Sequence, residues 1–282
     1  MASGHERVHF WQAPQLGGVE LLHARYVEQR FAPHVHSGYV INVIEEGGQR
    51  FRHRGSDHLA TVGSMILINP DEVHTGSKAC ETGWRYRACY PEVEQIGDVL
   101  NELDLARGGT PAFSISVLHD AEVARAFLRL HRSFDASGSA LEQQTLWREA
   151  LLLLFQRHAR LPEASVAGRA PKAVALAKEC LAEHLVDPPS LEELAAMVTL
   201  SPFHFARLFR RTTGLPPHAW LKQQRLERAR ELLKQGWPPA WVAGEAGFAD
   251  QSHLSRQFKQ AYGIGPGTYR KACARTFKTL PH

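Results

Sequence analysis

HFARLFRRTTGLPP, residues 204–217, and HLSRQFKQAYGIGP, residues 253–266, carry His, Arg, Phe, Gly and Pro at matching places 49 positions apart. The repeat reaches back further: Ala195, Val198 and Leu200 match Ala243, Ala246 and Phe248 at an offset of 48. Each copy reads as two helices with a tight connection. Ser190 with Glu193 forms an S-x-x-E capping box before LEELAAMV, and Ser201-Pro202 supplies an N-cap and a first-turn proline for the next helix. Gly214 stops that helix. In the second copy PAWVAGEAGF precedes DQSHLSRQFKQAYG, with Asp250 as the N-cap. A small residue in each first helix, Ala195 or Ala243, lets the second helix cross closely, which is helix-turn-helix geometry.

At 100° per residue, Phe205, Leu208 and Phe209 of the first copy fall on one face; Phe203, Ala206, Arg207 and Arg210 fall opposite. Shifted by 49, Leu254 and Phe258 form the core face, while Ser252, Ser255, Arg256 and Lys259 look outward with Gln251. Outward Arg pairs bidentately with guanine and Gln with adenine, and Phe203 or Ala206 suits a thymine methyl. Arg210, Arg211 and Lys259 are placed as phosphate anchors. Between the copies, Pro217–Gln235 predicts a helix of 19 residues, roughly 28 Å long at ~1.5 Å per residue. Major-groove segments on one side of DNA recur every ~34 Å. Such a spacer suits two readers on adjacent segments.

Charge supports a polyanion partner for this half alone. Residues 1–165 hold 16 Lys and Arg against 20 Asp and Glu, net −4; residues 166–282 hold 17 against 9, net +8. The four cysteines, Cys80, Cys89, Cys180 and Cys273, form no C-x-x-C pair and read as reduced thiols. No stretch approaches the ~20 apolar residues of a membrane span, and MASGHERVHFWQ does not read as a secretory signal. The expected location is the cytoplasm.

From Val8 to Pro91 the chain reads as short strands: VELLHARYVEQ, GYVINVIEE, QRFRHR, SMILINP and WRYRACYP, punctuated by turns such as EGGQ and RGSDH. This predicts an all-β sandwich or small barrel. EVEQIGDVLNEL, HDAEVARAFLRLHRSFD and ALEQQTLWREALLLLFQRHARL then read as appended helices. Phe127, Leu130, Leu146 and Leu151–Leu154 are the expected dimer seam. PEASVAGRAPK, 162–172, is the expected linker between domains at 1–165 and 172–275, and a turn at PGTYRKAC is expected to close the helical domain.

The C-terminal residues carry a resemblance. LxxLAxxVxLSPFHFARLFRRTTGxxPxxWLxxxRLxxARxLL followed by VAxxAGFxDQSHLSRQFKxxYGxxPxxYR, over about 172–271, is similar to the AraC/XylS family of bacterial transcription regulators. The resemblance implies double-stranded promoter DNA as partner, with base contacts by Phe203, Ala206 and Arg207 in the first unit and Gln251, Ser252, Ser255 and Arg256 in the second. RNA polymerase is a further implied partner, and activation is the family tendency.

FAPHVHSGYVINVIEEG, 31–47, and GSMILINPDEVHTG, 63–76, resemble the two motifs of a cupin-like barrel, which in that family binds a small-molecule effector and mediates homodimerisation. His34, His36 and His74 would bind metal in a metal-dependent cupin, but the glutamate that usually follows the H-x-H pair is missing: Tyr39–Ile44 is apolar and Glu45 and Glu46 sit at the turn. The expectation is therefore no metal, no cofactor and no catalytic residue. The three histidines are read as effector contacts or core hydrogen-bonding groups, with Tyr39 and Trp84, alongside Trp11 and Tyr86, as candidate pocket walls. The leading reading is an effector-controlled DNA-binding regulator. A metal-dependent cupin enzyme with a DNA-binding tail and an architectural DNA binder without effector are the alternatives.

Overall fold

Successive side chains of a strand point to opposite faces, and in the N-terminal half this alternation sorts the apolar residues into two cores. The strands are β1 (Arg7–Ala13), β2 (Val19–Tyr26), β3 (Phe31–His34), β4 (Val40–His53), β5 (Ser56–Thr61), β6 (Met65–Ile68), β7 (His74–Lys78) and β8 (Trp84–Tyr90). After helix α1 (Val93–Glu102) come β9 (Ala112–Phe113), β10 (Val117–Leu118), α2 (Ala121–Asp135), α3 (Ala140–His158) and β11 (Ala159–Arg160). The computed structural model describes residues 6–102, 110–136, 138–160 and 169–277. The chain divides into two compact units, Met1–Glu163 and Ala164–Arg275.

The main sheet runs β1-β2-β8-β4-β6-β10, with antiparallel neighbours throughout. β4 is the hinge of this unit. Its first half lies between β8 and β6, and its second half pairs with β5 and β7, with β3 beyond β7. EGGQ, expected to be a turn between two strands, is instead a bend inside one strand. The ladder to β8 shifts register between Ile44 and Glu46, and Gly47 has φ +67°. A Cβ on Gly47 would sit 2.0 Å from the Gly83 carbonyl oxygen, so glycine there permits close backbone approach instead of chain reversal.

On one face of the main sheet, Leu21, Tyr39, Ile41, Val43, Met65, Leu67 and Cys89 pack with α2 and α3 residues such as Phe127, Leu130, Trp147, Leu151 and Leu154. On the other, Leu22, Tyr26, Val40, Ile44, Ile66, Trp84 and Tyr86 fill the barrel interior. Phe127, Leu130, Leu151 and Leu154, expected at a dimer seam, are 0–1% exposed and belong to this chain's own core. In the apolar run LLLL, Leu151 and Leu154 are buried in the core shared with α2 and the sheet, while Leu152 and Leu153 are half-buried.

The C-terminal unit is all helix: α4 (Arg169–Glu183), α5 (Leu191–Met197), α6 (Pro202–Thr213), α7 (Pro217–Lys234), α8 (Pro239–Glu245), α9 (Gln251–Tyr262) and α10 (Pro266–Phe277). Much of the expected linker at 162–172 lies outside the described residues, and its last four residues open α4. Val174, Ala177 and Leu181 of α4 are buried, and the helix packs against α6 and α7. PGTYRKAC is not a closing turn but the start of the 12-residue α10. The protein thus joins an N-terminal β-barrel unit with appended helices to an all-α unit of two helix-turn-helix repeats bridged by α7.

Candidate functional site

The repeats share the hydrogen bonds of their turns, of the caps of their second helices and of their stops, while their first helices differ, α8 having no side-chain cap. α5 opens with the reciprocal capping box, Glu193 N–H donating to Ser190 Oγ at 3.2 Å and Ser190 N–H to Glu193 Oε2 at 2.7 Å. In the first turn Leu200 N–H donates to Ala195 O at 2.9 Å; in the second Phe248 N–H donates to Ala243 O at 2.8 Å. Ser201 caps α6 through the His204 N–H, and Asp250 caps α9 through the His253 N–H at 2.6 Å. Gly214 and Gly263 close the two helices in the left-handed region. Phe205, Phe209, Leu254 and Phe258 are fully buried. The duplication also runs into the following helices: Phe209 meets Trp220 edge-on at 6.0 Å and Phe258 meets Tyr269 at 5.4 Å.

The outward faces differ from the cores as amphipathicity requires. Phe203, Arg207 and Arg210 of α6 are exposed and Ala206 is half-buried; Gln251, Ser252, Arg256 and Lys259 of α9 are exposed and Ser255 is half-buried. Phe203 is 72% exposed, so it contributes nothing to its own core. Leu208, expected in the core, is only half-buried, as is its counterpart Gln257. Arg207, Arg210, Arg256 and Lys259 have no carboxylate partner among the described residues, whereas Arg228 pairs with Glu231 and Arg230 with Glu227. These cations are therefore available to an external anion. α7 has 18 residues, about 27 Å at ~1.5 Å per residue.

The turns contain one difference that sequence matching did not reveal. Thr199 and Gly247 occupy the same turn position with φ +57° and +76°. A β-branched residue is strained there. Glycine is needed only in the second copy, where a Cβ would lie 2.4 Å from the Leu185 carbonyl oxygen.

In the N-terminal unit a belt of rings lines one side of the barrel. Trp84 meets Tyr26 at 5.5 Å, Tyr26 meets Phe31 at 5.5 Å, Phe31 meets His34 at 5.9 Å, and His36 meets Tyr90 at 5.4 Å. His34 pairs with His74 across the β3–β7 ladder, so their side chains share a face. Their ring centroids are 4.2 Å apart, and those of His36 lie 5.1 and 5.3 Å from them. Burial pushes the His34 pKa down to about 4 against the opposing backbone hydrogen bond to Ala32. Burial, with the neighbouring His34, holds His74 well below its ordinary value. Both imidazoles are neutral at pH 7.

The structure thus brings His34, His36, His74 and Trp84 into one belt. Tyr39 is elsewhere: just ahead of β4, on the same side as Ile41 and Val43, it enters the helix-facing core, where its hydroxyl donates to the Pro111 carbonyl at 2.6 Å beside Phe113 and Phe155. Trp11 likewise packs on that side, against His131 and Phe134. Sequence reasoning missed Tyr26, whose signal was the inward alternation Leu22, Ala24, Tyr26 on β2. The buried Tyr26 hydroxyl and Trp84 Nε1 have no hydrogen-bond partner among the described residues. Buried polar groups normally have one, and an apolar wall with such groups suits a small molecule. Below the belt, burial favours the neutral form of Glu72, but His53 and Arg54 outweigh it and hold its pKa at about 2. That ion pair ties the turn before β7 to β4.

Comparison with known proteins matches the two halves separately. Residues 16–151 fit the AraC-like ligand binding domain, and residues 194–272 fit a helix-turn-helix domain. The helix-turn-helix-type transcriptional regulator YbfI of Bacillus subtilis is 26% identical over 84% of this chain and 86% of its own. The arabinose operon regulatory protein of Escherichia coli is 25% identical over 84% of this chain and 81% of its own. ToxT of Vibrio cholerae, 11% identical, shares the fold with a TM-score of 0.55 over 95% of this chain and 97% of its own. The ligand-binding and helix-turn-helix models follow one another along this chain, the matches to YbfI and the arabinose regulatory protein extend over 84% of it, and the chain belongs to the AraC/XylS family of transcriptional regulators.

Proposed function

We propose that the chain is a sequence-specific DNA-binding transcription regulator, an activator, controlled by a small-molecule effector held in the N-terminal barrel. The observation that carries this reading is the pair of capped helices, α6 and α9, each with a buried aromatic scaffold and an outward face of unpaired cations in the basic half of the chain. Arg207 and Arg256, with Gln251, Ser252, Ser255, Phe203 and Ala206, face the bases; Arg210 and Lys259 hold phosphates. The working domains are 1–165 and 172–275, and the setting is the cytoplasm with RNA polymerase as partner. No helix among the described residues is long and apolar enough to cross a membrane.

The ring belt with its orphaned Tyr26 hydroxyl and Trp84 Nε1 supports an effector with an apolar body and few polar atoms. A ToxT structure carrying an unsaturated fatty acid is a precedent in this fold. Since Phe127, Leu130, Leu151 and Leu154 are committed to the core, a homodimer would draw instead on what the helices leave outside, led by Leu141 at 74% exposure. Selection of binding sites from random DNA with the full chain, followed by thermal-shift screening against metabolites, tests the reading. A recovered consensus and a ligand that changes DNA affinity are expected, and linkage requires DNA to change ligand affinity by the same factor. Selection without a consensus would contradict sequence-specific binding; a consensus with a flat ligand panel would favour an effector-independent binder.

A further inference from the structure

We propose that His34, His36 and His74 form a site for one divalent transition-metal ion inside the N-terminal unit. Each residue offers one ring nitrogen, and the three nitrogens lie within 4.8 Å of one another. Two of the residues come from β3 and the segment after it and the third from the start of β7, so antiparallel pairing of His34 with His74 sets the geometry.

The orientation of the rings is what separates this cluster from a chance meeting of histidines. His34 Nδ1 lies 2.8 Å from the Ala32 carbonyl oxygen and His74 Nδ1 lies 3.1 Å from the Glu72 carbonyl oxygen. A carbonyl oxygen only accepts, so both Nδ1 atoms carry the proton and both rings present Nε2 as a lone pair. This is the outer-shell arrangement that fixes the tautomer and raises the basicity of metal-bound histidines. His34 and His74 are 5% and 8% exposed, and a hydrophobic surround of this kind limits water access.

Imidazole donors suit zinc, copper, iron and nickel, and oxygen-preferring magnesium or calcium fit poorly. The missing carboxylate, which argued against a metal at the level of sequence, is not required: three histidines are a complete protein donor set for zinc and leave a fourth position for water or a ligand. Bonds of about 2.1 Å in tetrahedral geometry bring the donor nitrogens to about 3.4 Å of one another. His36 is half-buried and lies on the chain that leaves β3.

The test uses full-length, untagged protein stripped with a chelator and titrated with cobalt(II), then with zinc(II). One cobalt per chain with visible d–d absorption, displaced by zinc, is expected. His36→Ala should weaken cobalt affinity at least about tenfold while the melting temperature of the metal-free protein stays at the wild-type value. Long-range proton–nitrogen spectra of the wild-type protein provide a readout that needs no variant: zinc should shift three histidine rings whose Nδ1 atoms stay protonated in at least two. Three outcomes would overturn the proposal. They are no cobalt bands, affinity unchanged in His36→Ala, or a thiolate-to-cobalt charge-transfer band placing the metal on a cysteine such as Cys180, 4.0 Å from His184 Nδ1.

Discussion

Phe209 and Phe258 hold the same place in two copies of one motif, each buried and each edge-on to an aromatic ring, Trp220 or Tyr269. Phe203 and Ser252 also hold the same place, on the exposed side, and share no chemistry. Duplication has kept what the fold needs: small Ala195 and Ala243 at the crossing, Ser201 and Asp250 at the caps, Gly214 and Gly263 at the stops. It has not kept the outward residues. The first face combines Phe203 and Ala206 with the guanidiniums of Arg207, Arg210 and Arg211; the second offers Gln251, Ser252, Ser255 and Arg256. Apolar contacts and phosphate anchoring carry less sequence information than amide, hydroxyl and guanidinium groups aimed at base edges. The proposed DNA contacts thus make the second copy the stronger reader and the first the stronger anchor.

The largest effects should fall on the shared scaffold. Phe209→Ala and Phe258→Ala should each cost about 3–5 kcal/mol, read by urea unfolding of the full chain; a loss below about 1 kcal/mol at either site would break the equivalence. Next comes the turn where the copies differ. Gly247→Ala meets both left-handed backbone and the Leu185 carbonyl, and should cost about 2–3 kcal/mol. Thr199→Gly releases left-handed strain of ~1–2 kcal/mol against the ~1 kcal/mol entropic cost of glycine, and should leave stability near wild type. Equal losses would mean that the turns are packed alike. Ser201→Ala and Asp250→Ala should each cost about 1 kcal/mol through loss of the cap. The smallest change is expected from Arg210→Ala, which should weaken all DNA sequences alike and lower the salt slope of binding by about 1; a loss confined to one sequence would make Arg210 a reader.

The C-terminal half was legible because caps, stops and helical periodicity are local signals repeated twice. Ser190, Glu193, Ser201, Gly214, Asp250 and Gly263 act where the sequence places them. The repeat also runs into the third helix of each unit, where Trp220 and Tyr269 stand 49 positions apart after the matching Pro217 and Pro266; the sequence shows the shared place, and the shared ring contact appears only in three dimensions. In the barrel, strand composition was visible but facing was not. Tyr39 and Trp84 look equivalent as aromatic residues, yet one residue of register decides which core each enters. Gly47 was read as a turn because glycine marks both reversal and close approach; only the Gly83 carbonyl 2.0 Å from its Cβ position distinguishes them. The apolar helices read as packed against the barrel or a second subunit, and three-dimensional packing places Phe127, Leu130, Leu151 and Leu154 in the chain's own core while Leu146, Leu152 and Leu153 stay half-buried.

The division of labour between the two copies is tested most directly by binding of Arg256→Ala and Arg207→Ala to selected and to random DNA duplexes, measured by fluorescence anisotropy at one salt concentration. Arg256→Ala should lose about 1–3 kcal/mol on the selected site with little change on random DNA, and Arg207→Ala should show a smaller loss of specificity. Equal losses on selected and random DNA for Arg256→Ala would contradict the assignment of α9 as the principal reader.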